Sequence, residues 1–224
     1  MFKITNLRKI AISLAMFAIV ALGSALTAKA DPVTFVLSGP DFSGSTANTG
    51  GNITVNIANI AGGVRVTVTN NLVDPGAFLG SLYLNTSVAP LAGASGTCVN
   101  CTATGGQTMT FNFGSNAFQA DGDGLYDIFI DFNTSAANRL LAAASIIFDI
   151  TSTTVGFTSD SFHSLSAPGG GNGPFETAAH IQALPNGQSD WITNTDPVPE
   201  PASMLLLGTG LIGLAGAARR RFKK

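Results

Sequence analysis

Three aspartates crowd one short stretch, "DGDGLYD": Asp121, Asp123 and Asp127, with Gly122 and Gly124 between them. Alternating carboxylates on a tight turn present several oxygens to one cation, and such hard ligands suit Ca²⁺. The stretch departs from the EF-hand loop, because Leu125 replaces an Asp or Asn and no Glu follows at the twelfth position. A solvated turn leading into a strand is the competing reading, and both stay open. Asp131 is expected on the same strand face as Asp127 and would extend the acidic surface.

The two cysteines, Cys98 and Cys101, sit in "GASGTCVNCTATGG", which reads as a Gly/Thr loop between strands. A redox CxxC belongs at a helix N-terminus, where the thiolate is stabilised. In an oxidising compartment a loop pair more simply forms a small disulfide staple. A zinc site would need two further ligands, and His163 and His180 are the only histidines. The staple is therefore expected.

Catalytic patterns are absent from the sequence: no G-x-S-x-G, no H-E-x-x-H, no phosphate-binding glycine loop. His163 ("SFHSL") and His180 ("AAHIQ") each lie in an apolar-flanked segment and read as structural. Trp191, the sole tryptophan, could stack on a sugar or be a half-buried core residue. The expectation is a protein that is not an enzyme, with Ca²⁺ as the one candidate cofactor.

The elements that must position these residues are strands. "NITVNIANI" puts Ile53, Val55 and Ile57 on one face, and "VRVTVTN" does the same with Val64, Val66 and Val68. Gly62-Gly63 between them signals a hairpin turn. "GSLYLN", "QTMTFNF", "LYDIFIDF" and "ASIIFDITSTT" continue the pattern; in the third, Tyr126, Ile128, Ile130 and Phe132 are set against Asp127, Phe129 and Asp131. "SAANRLLAAA" (Ser135 to Ala144) has the Ala and Leu content of a short helix. "SAPGGGNGP" (166–174) reads as a loop, and "FETAAHIQALPNGQSDWI" as one returning strand. Half-buried antiparallel strands with Gly/Ser loops predict an all-β fold, an antiparallel β-sandwich of jelly-roll type, over residues 31–192.

Charge is segregated. Between Asp31 and Glu200 stand all 13 acidic residues but only two basic ones, Arg65 and Arg139, a formal charge of −11. Such a domain repels phosphates, which excludes nucleic acid as a partner.

The remaining basic residues mark the two ends. Lys3, Arg8 and Lys9 precede an uncharged run from Ile10 to Leu26, and Ala28-Lys29-Ala30 forms an A-x-A site before Asp31. Residues 1–30 read as a secretory signal peptide cleaved after Ala30, with an uncleaved anchor as the alternative. At the other end, residues 193–201 form a polar stalk carrying Pro199-Glu200-Pro201. Ala202 to Ala218 then gives 17 uncharged positions, and Arg219, Arg220, Arg221, Lys223 and Lys224 close the chain. A helix of that length covers roughly 25 Å, near the lower limit for a bilayer span. Residues 202–218 are expected to cross the inner membrane, with the basic tail 219–224 held inside.

Pro199-Glu200-Pro201, an apolar Leu/Gly run and a terminal Arg cluster, in that order, resemble the PEP-CTERM sorting signal of exported proteins of Gram-negative bacteria. The resemblance implies recognition by an exosortase-type processing enzyme and transfer towards the cell surface or extracellular matrix. The expected function is that of a non-enzymatic surface or matrix protein among extracellular polysaccharide. The alternative is a Ca²⁺-assisted carbohydrate-binding or adhesive module on the same sandwich.

Overall fold

The computed structural model describes residues 32–39, 43–44, 50–101, 106–121, 124–169 and 174–194. The expected signal peptide, residues 195–201 of the expected stalk, the apolar run and the basic tail lie outside them. Thr193 and Asn194, expected in the stalk, belong to the sandwich: Thr193 ends the last strand and Asn194 bridges to Leu37. Among the described residues no helix is long and apolar enough to cross a membrane.

Two antiparallel sheets face one another. The first contains β1 (Val33–Leu37), β3 (Ile53–Ile60), β4 (Gly63–Asn70), β6 (Ser95–Asn100) and β10 (Ser145–Thr151), in the spatial order β1-β3-β4-β10-β6. The second contains β2 (Ser43–Gly44), β5 (Phe78–Leu84), β8 (Gly124–Phe132), β11 (Ala167–Pro168), β12 (Thr177–Leu184) and β13 (Gln188–Thr193), ordered β11-β8-β5-β12-β13-β2. Off that path, β7 (Met109–Ala120) pairs with β8, and β9 (Leu140–Leu141) pairs with β5. This is the expected β-sandwich.

Side-chain alternation explains the layering, because residues two apart share a face. Ile53, Val55 and Ile57 of β3, Val64, Val66 and Val68 of β4, and Ile146, Phe148 and Ile150 of β10 point inward. They share one core with Leu82 and Leu84 of β5, Ile128 and Ile130 of β8, Ile181 of β12 and Ile192 of β13. Burying each such side chain is worth roughly 1.5–3 kcal/mol. The β3–β4 hairpin turns through Ala61 and Gly62, with Ile60 opposite Gly63. Gly62 has φ +75°, a left-handed conformation natural to glycine.

Four local expectations are corrected. The stretch 166–174, expected as a loop, contributes the two-residue strand β11, because Ala167 and Pro168 pair with Leu125 and Gly124 at the edge of the second sheet. Ser135 to Ala144 is not helical: it forms turns around the two-residue strand β9. Leu140 is buried in the core, while the amides of Ala142 and Ala143 donate to Ala77 O (3.2 Å) and Asn70 O (2.7 Å). A ten-residue helix is marginal on propensity alone, so those tertiary bonds decide the outcome. The segment after residue 174 is a hairpin rather than one strand, since Pro185–Gly187 makes a 3-10 turn between β12 and β13. Finally, Ser95–Asn100 is the strand β6 at the edge of the first sheet, not a loop. Its polar residues tolerate exposure because only one side of it is paired.

Candidate functional site

Positions on β5, β8, β12 and β13 that alternate with the core face outward on the second sheet. The ladder aligns Phe129, Tyr83 and Ala178 across three strands, and Asp131, Ser81, His180 and Trp191 across four. The result is a second, smaller cluster around Tyr83, Tyr126, Ala120 and Ala178, against which Phe118, Phe129, Phe175 and Trp191 pack.

Its rings are arranged in contact pairs. Tyr83 stacks on Phe129 at 4.8 Å and 23°, and lies 5.5 Å from Trp191. His180 stacks on Trp191 at 4.7 Å and 15°. Gln182 Nε2 lies within hydrogen-bond reach of His180 Nδ1, at 3.1 Å. Burial lowers the His180 pKa from its ordinary value, a shift that the charge of Asp121 opposes. Burial raises the Tyr83 phenol, a hydrogen bond with Ser81 opposes that rise, and Asp131 reinforces it. Near neutral pH the face is thus an uncharged aromatic patch bordered by Ser81, Gln182 and Asp131. Chemically it offers flat apolar contact edged by hydrogen-bonding groups.

The acidic turn is divided by the fold. Asp127 is buried: its Oδ2 accepts from the Thr86 amide (3.0 Å) and its Oδ1 from the Asn116 amide (2.8 Å). Asn116 lies where the β7–β8 register shifts, between Phe113 and Phe118. Asp127 therefore anchors backbone at an irregularity, and Tyr126 joins Tyr83 instead of the main core. Asp121 and Asp131 are exposed, and Asp123 lies outside the described residues. Among the described residues no group of three or more His, Cys, Asp or Glu side chains is placed to hold a metal ion.

Cys98 and Cys101 are joined in a disulfide at the end of β6. The histidines stand apart, His180 on the outer aromatic face and His163 against the core edge at Phe35. His163 Nδ1 lies 3.1 Å from Glu176 Oε1, and Glu176 Oε2 accepts from Asn194 Nδ2 at 2.8 Å. Glu176 is buried, so its carboxylate is held on both oxygens. Of the outer rings only Trp191 stood out in the sequence; the Glu176 contacts and the rings of Tyr83 and Phe129 did not. The signal for the rings was present: Tyr83 and Phe129 are the large residues at positions out of phase with Leu82, Leu84, Ile128 and Ile130.

Fold and site together define an antiparallel β-sandwich with an aromatic outer face. Residues 197–221 match the PEP-CTERM protein-sorting motif family, so the chain carries that sorting motif on Pro199, Glu200 and Pro201. The motif marks the chain for export and membrane-associated sorting. No curated protein matches the chain. Among solved structures, a biomass-sensing module of an RsgI-like protein from Clostridium thermocellum, described as resembling the family 3 carbohydrate-binding module of the cellulosome, aligns with 75% of this chain and 99% of its own. The identity is 12% and the TM-score 0.34, too low to argue from.

Proposed function

We propose that this chain is a non-enzymatic protein of the cell surface or extracellular matrix, sorted there through its C-terminal tail. Residues 1–30 start export, residues 202–218 hold the protein in the inner membrane, and an exosortase-type enzyme acts on the tail. The observation that carries this reading is the sorting-motif match over residues 197–221. The formal charge of −11 between Asp31 and Glu200 supports it, since it favours solubility outside the cell. The test is fractionation of cells carrying Glu200→Ala. That variant should be exported normally and stay in the inner membrane, because neither export nor retention uses the Glu200 carboxylate. Its arrival at the surface or in the medium as efficiently as the parent would reduce the tail to a plain anchor.

A second reading, a Ca²⁺-assisted carbohydrate-binding or adhesive module, draws on the half-buried outer rings Trp191, His180 and Phe129, which rest on the buried Tyr83. Its cation would rest on Asp121 and Asp123, since Asp127 is committed to the Thr86 and Asn116 amides. A melting temperature that rises with Ca²⁺ and not with Mg²⁺ would favour it.

A further inference from the structure

The exported region has two cations, and they are used differently. Arg65 on β4 lies opposite Asp149 on β10 and grips it with two bonds, Nε to Oδ1 at 2.8 Å and Nη2 to Oδ2 at 3.0 Å. Arg139 makes no ion pair among the described residues. Its Nε donates to the Thr134 carbonyl at 2.9 Å, and its guanidinium carbon sits 4.3 Å above the centre of the Phe78 ring. One edge of the fork is fixed by a carbonyl and one face by an aromatic ring. The terminal NH₂ groups remain for a ligand, and they are the donors that grip an oxyanion in parallel bonds.

Arg139 lines a surface pocket of about 550 Å³, within the roughly 300–1,000 Å³ range of small-molecule sites. The other walls mix methyl groups, from Ala136, Ala142, Ala144 and Ile147, with polar surface that includes Asn100 and Ser145. The pocket is built rather than incidental. The fully buried Asn70 side chain donates to Leu140 O at 2.9 Å, and the Asn70 carbonyl accepts from Ala143 at 2.7 Å. Ala143 is held there at φ +64°, a costly conformation for a residue with a Cβ. The loop that carries Arg139 is thereby fixed to the end of β4.

We infer that this pocket binds the carboxylate of an acidic sugar, a uronic acid residue of a glycan. One guanidinium matches a monoanion, whereas a dianionic phosphate would bring an uncompensated charge into a domain of formal charge −11. The volume exceeds what a bare carboxylate fills, and the methyl groups suit the C–H faces of a sugar ring. The sugar, as opposed to another carboxylate, rests on the proposed display of the domain among extracellular polysaccharide.

The test titrates the purified full-length chain in detergent with methyl galacturonoside, a sugar monoanion, with its methyl ester and with acetate. The galacturonoside should bind at least about tenfold more tightly than the ester, the scale of one charge-assisted interaction. Arg139→Gln should lose that advantage. Ala136→Trp, a substitution at an exposed position that fills the pocket and leaves the guanidinium intact, should weaken galacturonoside binding comparably, while Trp191 fluorescence stays native-like in both variants. Equal binding of acid and ester overturns the inference, as does acetate competing as well per carboxylate, or Ala136→Trp binding like the parent. None of these results bears on where Glu200→Ala fractionates, so the sorting proposal stands or falls separately.

Discussion

Glu176 and Asn194 meet at 2.8 Å, carboxylate oxygen to amide nitrogen, and only four residues stand between Asn194 and Pro199 of the sorting motif. The bond closes the sandwich at the point where the chain leaves it. Glu176→Gln keeps the shape but loses the charge that strengthens both contacts. It should cost about 1–3 kcal/mol of unfolding free energy, read from chemical denaturation. An unchanged midpoint would mean that the clasp is idle.

The stacked pair His180 and Trp191 should make stability pH-dependent. The His180 pKa is lowered by burial from its ordinary 6.5, so the unfolded chain binds this proton more readily. Stability from this group is therefore complete above about pH 6.5, falls as the pH drops, and levels off below the folded pKa. Because Trp191 is the only tryptophan, its fluorescence reports the titration directly. Unfolding midpoints at pH 5 and pH 7 should converge in His180→Gln.

The Cys98–Cys101 disulfide closes a very short loop on an edge strand. In the chain-entropy picture its contribution falls well below the roughly 3 kcal/mol of a 15-residue loop. Replacing both by Ser should lower the melting temperature by only a few degrees. A domain unfolded at room temperature would contradict this.

Gly63→Ala tests the first sheet from the inside. A Cβ at Gly63 would run into the Ile150 carbonyl of β10, a backbone atom that cannot swing aside. The variant should lose about 1–3 kcal/mol, whereas Gly62→Ala, with open space around its Cβ, should show only the strain of a positive φ. Equal losses from both would refute the clash.

Strands with strict alternation, β3, β4 and β10 above all, could be read from the residues, because one buried face imposes a period that few other structures share. The irregular places could not. Ser135 to Ala144 has helical composition, but Asn70 and Ala77, far earlier in the chain, take its amides. Asp127 reads as a surface carboxylate until the register shift in β7 brings the Asn116 amide to it. Arg139 is unremarkable in sequence and gains its character from Phe78 beneath it. In each case the deciding partner lies far along the chain, beyond the reach of local pattern.

The isolated bridge between Leu37 and Asn194 joins the end of β1, in the first sheet, to the residue after β13, in the second. The amides of Ser38 and Gly39 reinforce it by donating to the Thr193 carbonyl. A pull on the C-terminal side therefore does not peel β13 away alone. The load divides at Asn194, part along β13 and part through β1 into its neighbour β3. Any force applied at Asn194 is borne by both layers at once, as by a tie rod across two walls.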